Sequence, residues 1–147
     1  MRKTLWDARA REELISRLNR LKPDTPAVWG SMNARQMVVH LVKWMQMIDG
    51  TLPIAPRNLP LRYPGIKQAL IYVFPFPKGV PTAPELITEA TPDWERECST
   101  LRQYLESFEK LDRRNLPDHP AFGRLTPQAW GVLGYRHTNH HLRQFGV

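Results

Sequence analysis

The sequence is short of cysteine, of acid and of long apolar runs. A single cysteine, Cys98, in 147 residues excludes an internal disulfide framework and any cysteine-rich zinc site. A reducing, cytoplasmic setting is the simplest fit. No stretch approaches the ~20 apolar residues of a membrane span. Asp7, Arg9, Arg11, Glu12 and Glu13 interrupt the N-terminus where a secretory apolar region would lie, so no membrane partner is expected. Acids number 14 against 21 lysines and arginines, a net charge of +7, which draws attention to anionic partners. The cations are spread from Arg2 to Arg143, however, with Arg113-Arg114 as the one pair far from other motifs. No basic stripe interleaved with aromatics and no nucleic-acid motif accompanies them. A solvated basic surface is expected rather than a nucleic-acid interface. Period-two alternation is almost absent, which argues against a sheet.

What remains is helical patterning. Hydrophobic residues make up 41% of the chain and include five tryptophans, enough for a real core in one domain spanning 1–147. From about Asp7 to Leu21 the stripe is Ala10, Leu14, Leu18 and Leu21, ended by Pro23 and Pro26. A second helix starts at Asn33, whose spacing to Gln36 is that of a capping box, with Ser31 as the competing cap. It carries Met37, His40, Leu41, Trp44 and Ile48 and stops at Gly50. Thr91-Pro92-Asp93 predicts a third helix start with proline at the first helical position. Trp94, Cys98, Leu101, Leu105, Phe108 and Leu111 extend that helix to about Arg114. Between the second and third helices eight of the 14 prolines fall from Pro53 to Pro84, and only 66–74 is free enough of proline for a short helix. A crossover of about 40 residues far exceeds the usual helix–helix connection. It suits a lid, or the overhand connection of a bundle. The expected fold is an all-α four-helix bundle with a long proline-rich crossover between helices 2 and 3.

The chemistry concentrates in the last helix, predicted from Thr126 (cap) and Pro127 to a stop at Gly146. Trp130, Leu133, His137, His141 and Phe145 lie on one face. Two imidazoles one turn apart on an apolar stripe can clamp a metal if a third ligand arrives; taken alone they better fit a polar surface turn or core histidines bonded to neighbours. His40 sits in the middle of the second helix's apolar face, where a buried imidazole needs a partner. In a bundle the apolar stripes converge, so His40, His137 and His141 are expected to meet as a three-histidine site that keeps a position open for water or substrate. Nitrogen ligands favour zinc or nickel over magnesium or calcium. His140 is the runner-up ligand. It faces ~60° from the His137 direction, against ~40° for His141, and suits a rim or proton-handling role. Gln144, three residues after His141, can orient it. Candidates for a catalytic acid or base are His140 and Glu97, the latter one step off the third helix's stripe. Cys98 is expected to be a small core residue rather than a nucleophile.

The tail "WGVLGYRHTNHHLRQFGV", the preceding "HPAFGRLTP" and "WGSMNARQMVVHL" around His40 resemble the DinB-like (YfiT-type) metalloenzyme superfamily, nearest a small uncharacterised bacterial branch. The resemblance spans both halves of the chain. It implies a four-helix bundle with a divalent metal held by one histidine of helix 2 and the H-x-x-x-H of helix 4, here His40, His137 and His141. Relatives in that superfamily include thiol-dependent transferases and isomerases, in which the metal activates a low-molecular-weight thiol. The chain departs from the branch at Ala129 and Asn139, where acids are usual. Asn139 lies about 200° around the helix from His137, so ligation should survive the change. Two function classes follow. One is a metal-dependent transferase or hydrolase acting on a small-molecule substrate. The other is a non-catalytic metal-binding or interaction bundle, a homodimer, in which the histidines stabilise the fold.

Overall fold

Asp7, Asn33, Asp93 and Thr126 each turn a side-chain oxygen back onto an amide two or three residues on, and a helix starts at each. The computed structural model describes residues 1–78 and 93–147. The four capped helices are α1 (Ala8–Leu18), α2 (Ala34–Asp49), α4 (Trp94–Ser107) and α5 (Pro127–Gln144). A short α3 (Ile66–Gln68) lies in the crossover and runs into a π turn, Ala69–Val73. Among the described residues there is no strand, only an isolated bridge between His119 and Gly123. The fold is all-α. No helix among the described residues is long and apolar enough to cross a membrane.

Asn33 outcompetes Ser31 as the cap of α2, and both halves of its capping box with Gln36 form, at 2.9 Å each. Gly50 closes α2 at φ +83, the left-handed conformation that glycine adopts without steric cost. Two boundaries differ from expectation. Thr91 and Pro92 lie outside the described residues, and the cap of α4 is Asp93, with Trp94 as the first helical residue. The same helix ends at Ser107 rather than near Arg114. A 3₁₀ turn, Phe108–Lys110, follows, and Leu111 is extended. Downstream, the Asp112 carboxylate accepts from the Arg114 amide at 3.0 Å and from the Asn115 side chain at 2.5 Å, a local turn that competes with continued helix.

The core is built where the stripes meet. Leu14 and Leu18 of α1, Met37, Leu41 and Met45 of α2, and Leu101 and Leu105 of α4 are all essentially inaccessible. α4 packs against both α1 and α2, and α1 against α5. α2 and α5 meet chiefly through rings: Trp44 lies against Trp130 and His137, and His40 against His137 and His141. α5 is buried around most of its circumference, not only along the expected stripe. The reason lies in the N-terminal segment. Leu5 donates its amide to the Gly131 carbonyl at 3.0 Å, and the Trp6 indole donates to the Pro127 carbonyl at 2.6 Å. A Cβ on Gly131 would stand 2.2 Å from Thr4 Oγ1, and one on Gly134 2.5 Å from Leu5 Cδ1. The two glycines admit a segment that any side chain would exclude.

The π turn has a chemical cause. Pro75 has no N–H, so the carbonyls of Leu70 and Ile71, five and four residues before it, lose the donor a continuing helix would give them. The Arg136 guanidinium fills that gap, donating to Leu70 O at 3.0 Å and also to Ile71 O and Phe74 O. An arginine of α5 thereby pins the crossover to the helix that carries the histidines.

Candidate metal centre

Three of the sequence's candidate residues come together. One ring nitrogen from each of His40, His137 and His141 lies within 4.8 Å of the others. The Nε2 atoms of His40 and His137 are 3.2 Å apart. Two nitrogens held 2.0–2.1 Å from one tetrahedral zinc stand about 3.3 Å apart by simple trigonometry, so this spacing is compatible with a shared ion as well as with a hydrogen bond between the two rings. His40 and His141 are buried and His137 is half-buried. Among the described residues the cluster contains no carboxylate. A three-histidine cluster of this kind could hold a metal ion.

The second atoms of the rings decide the tautomers. Gln144 commits its amide nitrogen to the Trp29 carbonyl at 2.9 Å, so its oxygen accepts from His141 Nδ1 at 2.9 Å. That places the proton on Nδ1 and leaves Nε2 of His141 with a free lone pair. Gln144 is itself clamped from two directions. Its backbone carbonyl accepts from Val28 N at 2.7 Å, and Gly30, at φ +84, would bring a Cβ within 2.4 Å of its amide nitrogen. His137 Nδ1 is buried with no hydrogen-bond partner, and so is Thr138 Oγ1. An orphaned buried nitrogen costs free energy.

Burial holds the His137 imidazole well below the usual histidine value, with repulsion from His141 and His40 adding to it. His141 is pushed down to about 3, first by burial and then by His40, while its bond to Gln144 acts the other way. Both rings are therefore neutral at pH 7, the form that ligates a metal.

The other candidates are placed differently. His140 sits at the rim, its ring 5.7 Å from Trp29 and 5.8 Å from Phe76. Burial lowers its pKa, and Arg143 and Lys78 lower it further. Glu97 is half-buried in the first turn of α4 and is not part of the cluster. Cys98 is buried, and burial raises its thiol to about 11, which suits a core residue. Asn139 faces α1, accepting from Arg17 at 2.6 Å while the same guanidinium reaches the Val147 carbonyl at 2.8 Å. Arg136 and Tyr135 make inter-helix contacts, the latter donating to Glu13 at 3.1 Å.

Sequence reasoning did not single out Trp29, Gly30 or Phe76 for the site, nor His119. His119 accepts from the amides of Ala121 and Phe122 at 3.1 and 3.2 Å and stacks near Trp130. Burial pushes it down to about 3. It latches the turn before α5 and so sets where that helix begins. The sequence signals were the prolines either side of it, Pro117 and Pro120, and its place at the head of the segment HPAFGRLTP.

The fold and the cluster together define an all-α protein with a metal-capable three-histidine centre. Residues 3–146 match the family described as Protein of unknown function (DUF1569), and the chain belongs to that family. No curated protein and no solved structure matches it.

Proposed function

We propose that the chain is a DinB-like (YfiT-type) four-helix bundle that binds a divalent metal, zinc or nickel, at His40, His137 and His141. On this reading it is a metal-dependent transferase or hydrolase that acts on a small molecule, with a low-molecular-weight thiol as co-reactant. The observation that carries the reading is the convergence of three imidazoles, with a 3.2 Å separation between two of their ε nitrogens. Nitrogen donors and the absence of carboxylates from the cluster favour zinc or nickel over the oxygen-seeking cations. A divalent metal held by three neutral ligands keeps its full charge and lowers the pKa of a bound water or thiol toward neutrality. The residues of the chain do the rest. Gln144 orients His141, the crossover brings Phe76 to 6.2 Å from the His137 ring and limits access of water, and His140 at the rim is placed to carry a proton.

A second reading is a non-catalytic metal-binding bundle, favoured by the near-complete burial of His40 and His141, at 3% and 8% exposure. Elemental analysis separates a metal site from none: wild type is expected to hold one metal per chain, and His40→Ala and His141→Ala to lose it. Equal metal in all three refutes the site. In the cobalt-substituted protein an added thiol or small anion is expected to change the visible spectrum, and a spectrum deaf to every such ligand leaves the structural reading standing instead.

A further inference from the structure

The mouth of the histidine cluster is lined on one side by aromatic rings and cations. Phe76 lies within 6.2 Å of ligand-face His137 and 5.8 Å of His140, and Trp29 within 5.7 Å of His140. Lys78 holds its ammonium 4.3 Å from the centre of the Trp29 ring. Arg143 is three residues on from His140 along α5, on the neighbouring position of the same helix face. The charged side chains that meet these rings, Lys78, Arg143 and Arg136, are all cations. Arg136 is engaged by the crossover carbonyls, whereas Lys78 and Arg143 are exposed and can each meet a ligand.

From this geometry we infer that the site takes a small, negatively charged ligand. One end of it reaches the metal and its anionic end is held outside, between Trp29 and Phe76, by Lys78 and Arg143. This rests on the proposed metal site and adds to it the charge of the ligand and the residues that select it. The aromatic walls accept the short apolar middle of such a molecule. The two cations attract its oxyanion, at a strength that salt will screen, and a cationic ligand meets repulsion from the same pair. At the rim, the His140 ring lies beside Trp29 and Phe76 and adds a hydrogen-bonding nitrogen to the same end.

The test uses the cobalt-loaded full chain and four thiols of similar length that differ at the far end: 3-mercaptopropionate, 2-mercaptoethanesulfonate, 2-mercaptoethanol and cysteamine. Their affinities are read from the thiolate-to-cobalt absorption at low ionic strength. Both anionic probes are expected to bind about fivefold more tightly than 2-mercaptoethanol, with cysteamine weakest. A preference for carboxylate over sulfonate, or the reverse, identifies the kind of oxyanion. Lys78→Glu and Arg143→Glu are each expected to remove the preference while leaving 2-mercaptoethanol unchanged. Arg114→Glu carries the same change of charge on an exposed side chain of the turn after α4 and is expected to keep it. Equal binding of all four probes overturns the inference and leaves the open metal site intact, as does a preference that survives both rim variants or is lost in Arg114→Glu. Silence from every probe overturns both.

Discussion

The two halves of α5 share one helix and one apolar stripe, and they are built on opposite principles. From Pro127 to Gly134 there is no titratable side chain, and two glycines let residues 4–6 lie against the helix backbone. From His137 to Gln144 the helix buries His141, Gln144 and Thr138, and leaves a ring nitrogen and a hydroxyl oxygen without partners. The first half gains close apolar packing. The second carries polar groups whose burial opposes folding and holds them because they face one another. Stability and chemistry are thus separated along about 25 Å of one helix.

Breaking the first half should have the larger effect. Gly131→Val drives a branched side chain into Thr4 and Trp6, whose nearest atoms would lie 2.2 and 2.3 Å from its Cβ. Overpacking of this kind costs about 3 kcal/mol, equivalent to a melting temperature lower by about 6–12 °C for a domain of this size. Metal content per folded chain should not change. An unaltered melting curve would show that residues 4–6 do not pack against the helix at Gly131.

The second half is sharpened by Gln144→Leu, which is close in volume but cannot accept from His141 Nδ1 or donate to the Trp29 carbonyl. Metal affinity should fall about 10- to 100-fold, measured by competition with a chromophoric chelator, with little change in fold by circular dichroism. Affinity equal to wild type would mean that Gln144 does not orient the ligand.

The pH dependence of stability belongs to the second half as well. His141 titrates near 3 in the folded chain and at its ordinary value of 6.5 unfolded, and His137 is lowered in the same direction. Each depressed imidazole makes the folded state bind fewer protons than the unfolded one. Its contribution is present in full above pH 6.5 and is lost as pH falls toward the folded value. Between about pH 6 and 4 the metal-free protein should lose at most about 1.4 kcal/mol per pH unit for each such ring, read from denaturant midpoints. In His137→Ala/His141→Ala the slope should flatten. A slope the same in both proteins assigns the acid sensitivity to other groups.

The sequence exposed the capped helix starts because caps are local. Asn33 with Gln36 and Thr126 with Pro127 need nothing from the rest of the chain. It also pointed to His40, His137 and His141, since helical spacing places them on stripes that have to converge. The rim was less legible for a physical reason. Trp29 is brought to His140 by a hydrogen bond from Gln144 that spans 115 residues, and Phe76 by an arginine sixty residues away on α5. Neither has a periodicity. The end of α4 was misjudged because Leu111 continues the apolar spacing while the turn at Asp112 takes over the backbone.

Arg136 concentrates the tie between the crossover and α5 in one residue. One guanidinium closes the carbonyls of Leu70, Ile71 and Phe74, and its side chain leaves α5 from the position next to His137. The three carbonyls depend on one side chain, so a substitution at Arg136 would remove all three bonds at once, one residue from His137.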